Sequence, residues 1–351
     1  MTMIIDGHLE LAYDAVVNGR SHHQSLADLR AREKRRHPAG IATLTLPALA
    51  EAGVGLAFGT VFAPPAAKRT SEFGYHTQEQ AQQMAQAQLD YYHRLADEVE
   101  TIRLVRSQSE LAEVVVSWEG ERPFLGIIPL LKGADPIREP EAVEMWFERG
   151  VRIVGLAWDD TVYASGFLRG SRVGLTKAGH QLLEIMAHFD LIADASHLSD
   201  KAFSELLDSY AGIIIASQSN ARTLVPDSGR HLSDAQIQRL GERGGVIGIS
   251  PYNPLLRRGH RHGDPKQLIT VERVVAHIDH VCQVLGDAAH VGLGSGLGGP
   301  FGAADLPTGM DSVLDLAAIG TGLKERGYGE GEITAVLYKN WLRLLQEGLP
   351  T

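Results

Sequence analysis

Two apolar runs in mid-chain end alike. Leu191-Ile192-Ala193-Asp194-Ala195-Ser196-His197 delivers His197, and Gly212-Ile213-Ile214-Ile215-Ala216-Ser217-Gln218 delivers Gln218. Near the start of the chain, Asp6-Gly7-His8-Leu9-Glu10 sets an imidazole and a carboxylate two residues apart. On a strand, His8 and Glu10 face the same side. Imidazole and carboxylate are ordinary zinc ligands, so His8, Glu10 and His197 have the chemistry of a metal site; an amide such as Gln218 is a poor ligand. Equally, a His-x-Glu pair reads as a polar cluster at a barrel mouth, and His197 as a hydrogen-bonded member of it.

The elements that must carry these residues form a regular series. Eight short apolar runs, at residues 3–8, 54–62, 124–131, 151–158, 191–197, 212–218, 245–251 and 290–295, alternate with helical patterns. Near-continuous apolar runs are expected of parallel strands covered on both faces. Pro129 weakens the third, because proline donates nothing to a ladder. Thr77-Gln78-Glu79-Gln80 is a capping-box pattern that opens a helix to about residue 100, with Met84, Ala87, Tyr91 and Leu95 as its apolar stripe. Ser233-Asp234-Ala235-Gln236 is a second box, and residues 141–149, 176–189, 200–210, 271–285 and 332–346 have helical stripes. Eight strand–helix units without a linker or repeat predict an α/β protein, a single (β/α)8 TIM barrel over residues 1–351 with insertions at about 19–40 and 63–122. A doubly wound open sheet is the competing architecture.

Composition narrows the partners. The formal charge of −10 opposes a nucleic-acid or anionic-membrane partner. The one cysteine, Cys282, can form no intrachain disulfide, which fits a reducing, cytoplasmic setting. The N-terminal residues have no basic segment followed by a long apolar one, and no apolar run is long enough to span a bilayer.

Active sites of such barrels form at the C-terminal strand ends. After His8 and Glu10, these ends deliver Lys132, then Trp158 with Asp159 and Asp160, then His197, Gln218 and Tyr252, and last Gly294-Ser295-Gly296-Leu297-Gly298-Gly299. The basic loop Arg257-Arg258-Gly259-His260-Arg261-His262 follows the seventh strand on the same face; it either draws in an anion or is a solvated loop. The glycine-rich turn lies where many barrels bind phosphate. The basic stretch at 30–36 reads as an exposed face of the first insertion.

The order of these segments resembles the membrane (renal) dipeptidases, the M19 zinc peptidases of the amidohydrolase superfamily. Asp6-Gly7-His8-Leu9-Glu10 is similar to their opening motif, and Asp194-Ala195-Ser196-His197-Leu198-Ser199 to their fifth-strand motif. Ala216-Ser217-Gln218-Ser219-Asn220-Ala221-Arg222 is similar to their Ser-His-Ser-Asn-Ala segment. Gly174-Leu175-Thr176 with Gly179, and Tyr328 with Asn340-Trp341, fit as well. The resemblance implies a (β/α)8 barrel, a binuclear zinc centre, hydrolysis of dipeptides, a homodimer, a substrate-carboxylate arginine at Arg230 and a tyrosine at Tyr252.

The departures fall on the chemistry. Against the family pattern, Glu10 replaces an aspartate, Lys132 the glutamate that bridges the two zinc ions, Gln218 a zinc histidine, Trp158 a histidine that holds the tetrahedral intermediate, and Gly296 the catalytic aspartate. What remains is His8, His197, Arg230 and Tyr252. Lys132 and Glu10 can neutralise each other as an ion pair where the metals would lie, and two divalent ions beside an ammonium would cost several kcal/mol. The leading expectation is therefore a dipeptidase homologue with a degenerate centre, zinc absent or reduced to one ion, and weak or no conventional dipeptidase activity. A first alternative is a mononuclear hydrolase with one zinc on His8, Glu10, His197 and a carboxylated Lys132. A second is a metal-free barrel that binds a small anionic ligand through Arg230, Lys132, the glycine-rich turn and the basic loop.

Overall fold

Each apolar run becomes a parallel strand in the computed structural model, which describes residues 3–33, 37–66, 74–169, 173–226 and 228–351. Residues 34–36 of the basic stretch and 67–73 of the second insertion lie outside the described residues. The strands are β1 (Ile4–Leu9), β2 (Val54–Val61), β3 (Ile102–Leu104), β4 (Leu125–Lys132), β5 (Ile153–Gly155), β6 (Ile192–Asp194), β7 (Ile214–Ile215), β8 (Ile247–Ile249) and β9 (Val291–Leu293). Their order is β7-β6-β5-β4-β2-β1-β9-β8. The ring closes between β7 and β8 at one parallel bridge, Ala216 to Ile247, with the Gly248 amide donating to the Ala216 carbonyl at 2.8 Å. This is the eight-stranded barrel expected from the sequence, not the open sheet.

β3 is an addition. It pairs with Leu125–Ile127 of β4, on the edge that β5 takes higher up at Leu130–Lys132. Three residues between two helices carry too little pattern to be read as a strand. Pro129 sits within β4, opposite Gly59 of β2, and its carbonyl accepts from Arg152. Its missing donor is tolerated and the strand continues through it.

The helices follow their caps. Thr77 accepts from the Gln80 amide and opens the helix Gln78–Glu98. The box is not reciprocal, because Gln80 Oε1 accepts from His76 N instead. The buried stripe is Ala81, Ala85, Gln88, Leu89, Tyr92 and Leu95; Ala87 is exposed and Met84 and Tyr91 are half-buried. The helix is therefore turned by about one residue from the predicted stripe, because Gln88 goes inward to bond the Phe62 backbone in both directions. The Ser233 capping box forms in full. The last helix runs without a gap from Glu330–Thr334 through a π-turn at Ala335–Lys339 into Asn340–Gly348.

Alternation along the strands sorts the interior. Ile5, Phe58, Ile128, Leu130, Ile153, Ile192 and Ile215 join one buried cluster with Trp341 and Leu344 from the final helix. Ile127, Leu131, Val154, Ala193 and Ile214 face the surrounding helices. Trp341 lies edge-on to Phe58 at 4.9 Å and donates through Nε1 to the Leu293 carbonyl at 3.0 Å. It fits because Gly7 has no side chain: a Cβ there would come within 2.6 Å of the indole. Strand period then aims Thr60, Lys132, Asp194 and Ser217 inward above this apolar plug.

Candidate active site at the barrel mouth

His8 is fully buried and held from behind. Its Nδ1 lies 2.9 Å from Ser217 Oγ, and that hydroxyl donates to Asp194 Oδ2. Ser217 Oγ, its one proton committed to Asp194, accepts from His8 Nδ1–H, so the Nε2 contact with Glu10 Oε1 at 3.3 Å is a hydrogen bond only when the ring carries its second proton. Asp194 also accepts from the Ser196 and Ser217 amides at 3.0 and 2.9 Å. Across the barrel Asp6 repeats the device, accepting from the His8 and Ser295 amides and from Ser295 Oγ. Two aspartates thus staple adjacent strand ends and set the backbone that carries the site.

Glu10 leaves β1 and begins the helix Leu11–Val16. Thr60 donates to its Oε2 at 2.8 Å, and Lys132 Nζ donates to its Oε1. Burial alone would raise the Glu10 carboxyl; the Lys132 ammonium and the His8 ring more than reverse this and hold it at about 2. The ammonium also lies 4.4 Å above the Phe62 ring, which packs against Trp158.

Trp158 in turn reaches His197, with ring centroids 6.4 Å apart. His197 has a left-handed backbone, φ 70°, and its Nε2 faces Arg230 Nη2 at 3.2 Å. A guanidinium only donates, so Nε2 accepts and the proton sits on Nδ1, which is buried without a partner. Burial, then Arg230 and Lys132, push this imidazole well below its ordinary value. Arg230 also donates to the Gln218 carbonyl, to Gln218 Oε1 at 3.2 Å and to Ser219 Oγ at 3.1 Å. Burial lowers its guanidinium to about 10, with Asp194 opposing. Gln218 Nε2 stands over Gly296, where any Cβ would collide with it.

The fold therefore gathers His8, Glu10, Lys132, Trp158, His197, Gln218, Arg230 and Gly296 into one cluster. Tyr252 is stacked at 4.5 Å on Phe301, whose ring borders Gly296. Asp159 and Asp160 belong to a loop turn in which the Gly166 amide bonds Asp160. In the basic loop, His262 is tied to Asp305 at 2.7 Å and Arg257 to the Leu268 carbonyl. Thr60, Phe62, Ser219 and the Ser217–Asp194 pair were not singled out from the sequence. Thr60 was available, since it continues the inward alternation of Leu56 and Phe58 at a strand end.

The comparisons bear on this arrangement. A family model for membrane dipeptidase, peptidase family M19, matches residues 1–348. The chain belongs to peptidase family M19. An uncharacterized protein in the pqqA 5′ region of Klebsiella pneumoniae is 29% identical over 234 residues, 64% of this chain and 83% of the relative. An uncharacterized dipeptidase of Schizosaccharomyces pombe is 30% identical over 209 residues, 58% and 48% of the two chains. Dipeptidase 3 of Rattus norvegicus is 27% identical over 262 residues, 72% and 51%. The match thus spans about half the length of these two dipeptidases. Among solved structures, dipeptidase AC, a metallopeptidase of family M19, superposes with a TM-score of 0.82 at 25% identity over 100% of this chain and 99% of that one. A metallopeptidase from Rhodobacter sphaeroides, bound to a phosphinate mimic of the dipeptide L-Ala-D-Ala, shares the fold with a TM-score of 0.81 at 24% identity, covering 99% and 100%. Membership of this metallopeptidase family implies zinc. Among the described residues, no helix is long and apolar enough to cross a membrane.

Proposed function

We propose that this M19 barrel carries fixed cationic side chains where the family holds its zinc pair, and has weak or no conventional dipeptidase activity. The Lys132–Glu10 ion pair is the observation that carries this reading. By resemblance Lys132 stands at the bridging carboxylate. Its ammonium is matched by Glu10 and rests on Phe62, so a divalent ion brought to His8 and Glu10 would meet a buried like charge. His197 Nε2 and Gln218 Oε1 both accept from Arg230, and Gly296 offers no carboxylate. This donor set does not fit a zinc pair. A carboxylated Lys132 would set an anion against Glu10 and against the Phe62 face, so the same contacts oppose the one-zinc hydrolase.

What the cluster suits is a small carboxylate-bearing ligand. Arg230 is buried, its partners are neutral, and no carboxylate lies within ion-pair distance of it among the described residues. Such a guanidinium gains strongly from a bidentate carboxylate. We extend the reading to a cytoplasmic homodimer. The single cysteine supports the first and family resemblance the second; sedimentation velocity tests the assembly.

The test is zinc content and dipeptide hydrolysis of protein purified without chelator. Substoichiometric zinc, and no hydrolysis after zinc and bicarbonate are supplied, is expected. Stoichiometric zinc lost together with hydrolysis would overturn the reading. Lys132→Glu, Gln218→His and Gly296→Asp in one chain are expected to confer zinc binding; without that gain, the placement of these positions is wrong.

A further inference from the structure

We propose that an oxyanion group of the ligand enters the mouth itself and is bound by Lys132 and Gln218 beside Arg230, so that the former metal position receives an anion. The inference rests on the zinc-free reading above and adds the chemistry of what replaces the metal.

The donors outnumber the acceptors. Lys132 has three N–H groups, and the bond to Glu10 accounts for one. Gln218 turns its carbonyl oxygen to Arg230 and so points its amide nitrogen over Gly296. His197 presents a buried Nδ1–H that has no acceptor. On the acceptor side, Glu10 Oε1 is met by Lys132 and Oε2 by Thr60. Asp194 and Asp6 lie behind the cluster, bonded to serine hydroxyls and backbone amides. Of these donors His197 Nδ1 is the one buried with no partner, and an anion with several oxygens offers acceptors to the lysine, the amide and the arginine at once, with charge-assisted bonds at the two cations.

Gly296 and Gln218 are a matched pair in this arrangement. Gly296 holds φ 68°, and its missing side chain leaves the volume that the Gln218 amide occupies. A carboxylate at 296 would displace the amide and cancel the positive site. Gln218 is thus a positioning and anion-contact residue rather than a relic ligand.

Titration calorimetry of the full chain with inorganic phosphate, sulfate and zinc chloride tests this. One saturable phosphate or sulfate site, and no saturable zinc site, is expected. Gln218→Glu keeps the volume and reverses the polarity; it is expected to weaken phosphate about tenfold or more, the scale of one charged hydrogen bond, and to admit zinc. Lys132→Gln should weaken phosphate by a similar factor, and Arg103→Gln on β3, where the arginine pairs with Glu113, should leave it unchanged. Circular dichroism establishes that each variant is folded. Absence of both anion and zinc binding overturns this inference alone. Stoichiometric zinc in the unaltered chain overturns the zinc-free reading and this inference with it. Phosphate binding that survives both Gln218→Glu and Lys132→Gln places the anion elsewhere and also overturns it.

Discussion

At the scale of single residues, the central question is what Lys132 stabilises. Its partner Glu10 is buried, with Thr60 as its other donor. Removing one member of a buried ion pair strands the other charge, whereas removing both leaves little to desolvate. Lys132→Met is therefore expected to destabilise the protein by about 3–5 kcal/mol, and Lys132→Met with Glu10→Gln by clearly less. Urea unfolding of the two singles and the double gives the coupling. Additive effects would mean that the two side chains do not act as a pair. Much of this site was legible beforehand, because His8, Lys132, His197 and Gln218 each end an apolar run. The tautomers were not. They depend on Ser217 and Arg230, which reach the histidines across strands distant in sequence.

At the scale of elements, the helix Val271–Leu285 carries a histidine that ties stability to pH. His277 is buried; its Nδ1 accepts from the Ala221 amide at 3.2 Å, so Nε2 keeps the proton, and it has no partner. Burial, with His231, Arg273 and His280 nearby, lowers its folded pKa to about 3 from an ordinary 6.5. The unfolded chain therefore binds a proton that the folded chain refuses. The contribution is complete above pH 6.5 and is lost progressively as pH falls from 6.5 toward 3. At pH 5 the loss is about 2 kcal/mol, and His277→Leu should remove most of it. Urea midpoints at pH 7 and pH 5 for both proteins check this; an equal acid dependence in the variant would assign the effect to other groups. Sequence periodicity located this helix to the residue, since its stripe is apolar and its C-terminus is set by Gly286 in the left-handed region. It misplaced the stripe of Gln78–Glu98 because Gln88 is buried for a backbone contact, and polarity alone cannot announce that. β3 escaped for a related reason: its pairing with β4 is a long-range fact.

At the scale of the whole molecule, the barrel divides its labour along its axis. One end is closed by Trp341, Leu344 and Leu345 against the inward isoleucines and leucines, and the other by the ionic cluster. Chemistry and stability should therefore separate. Trp341 is fully buried, and its neighbours Gly7 and Gly292 have no side chains with which to refill the space it leaves. A large aromatic truncated in such surroundings costs about 3–5 kcal/mol, because the cavity cannot collapse. Trp341→Ala is expected to lower the urea midpoint accordingly, and Trp341→Phe by less. The Trp341 contacts run to Phe58, Gly7 and the Leu293 carbonyl, one layer below the mouth, and none of them is made with Lys132 or Arg230. Well below the unfolding transition, the phosphate affinity of Trp341→Ala should therefore stay within about twofold of the unaltered chain, as expected for independent sites. A drop comparable to that of Lys132→Gln would show instead that the plug sets the mouth, and that β1 and β9, which touch both ends, transmit the change.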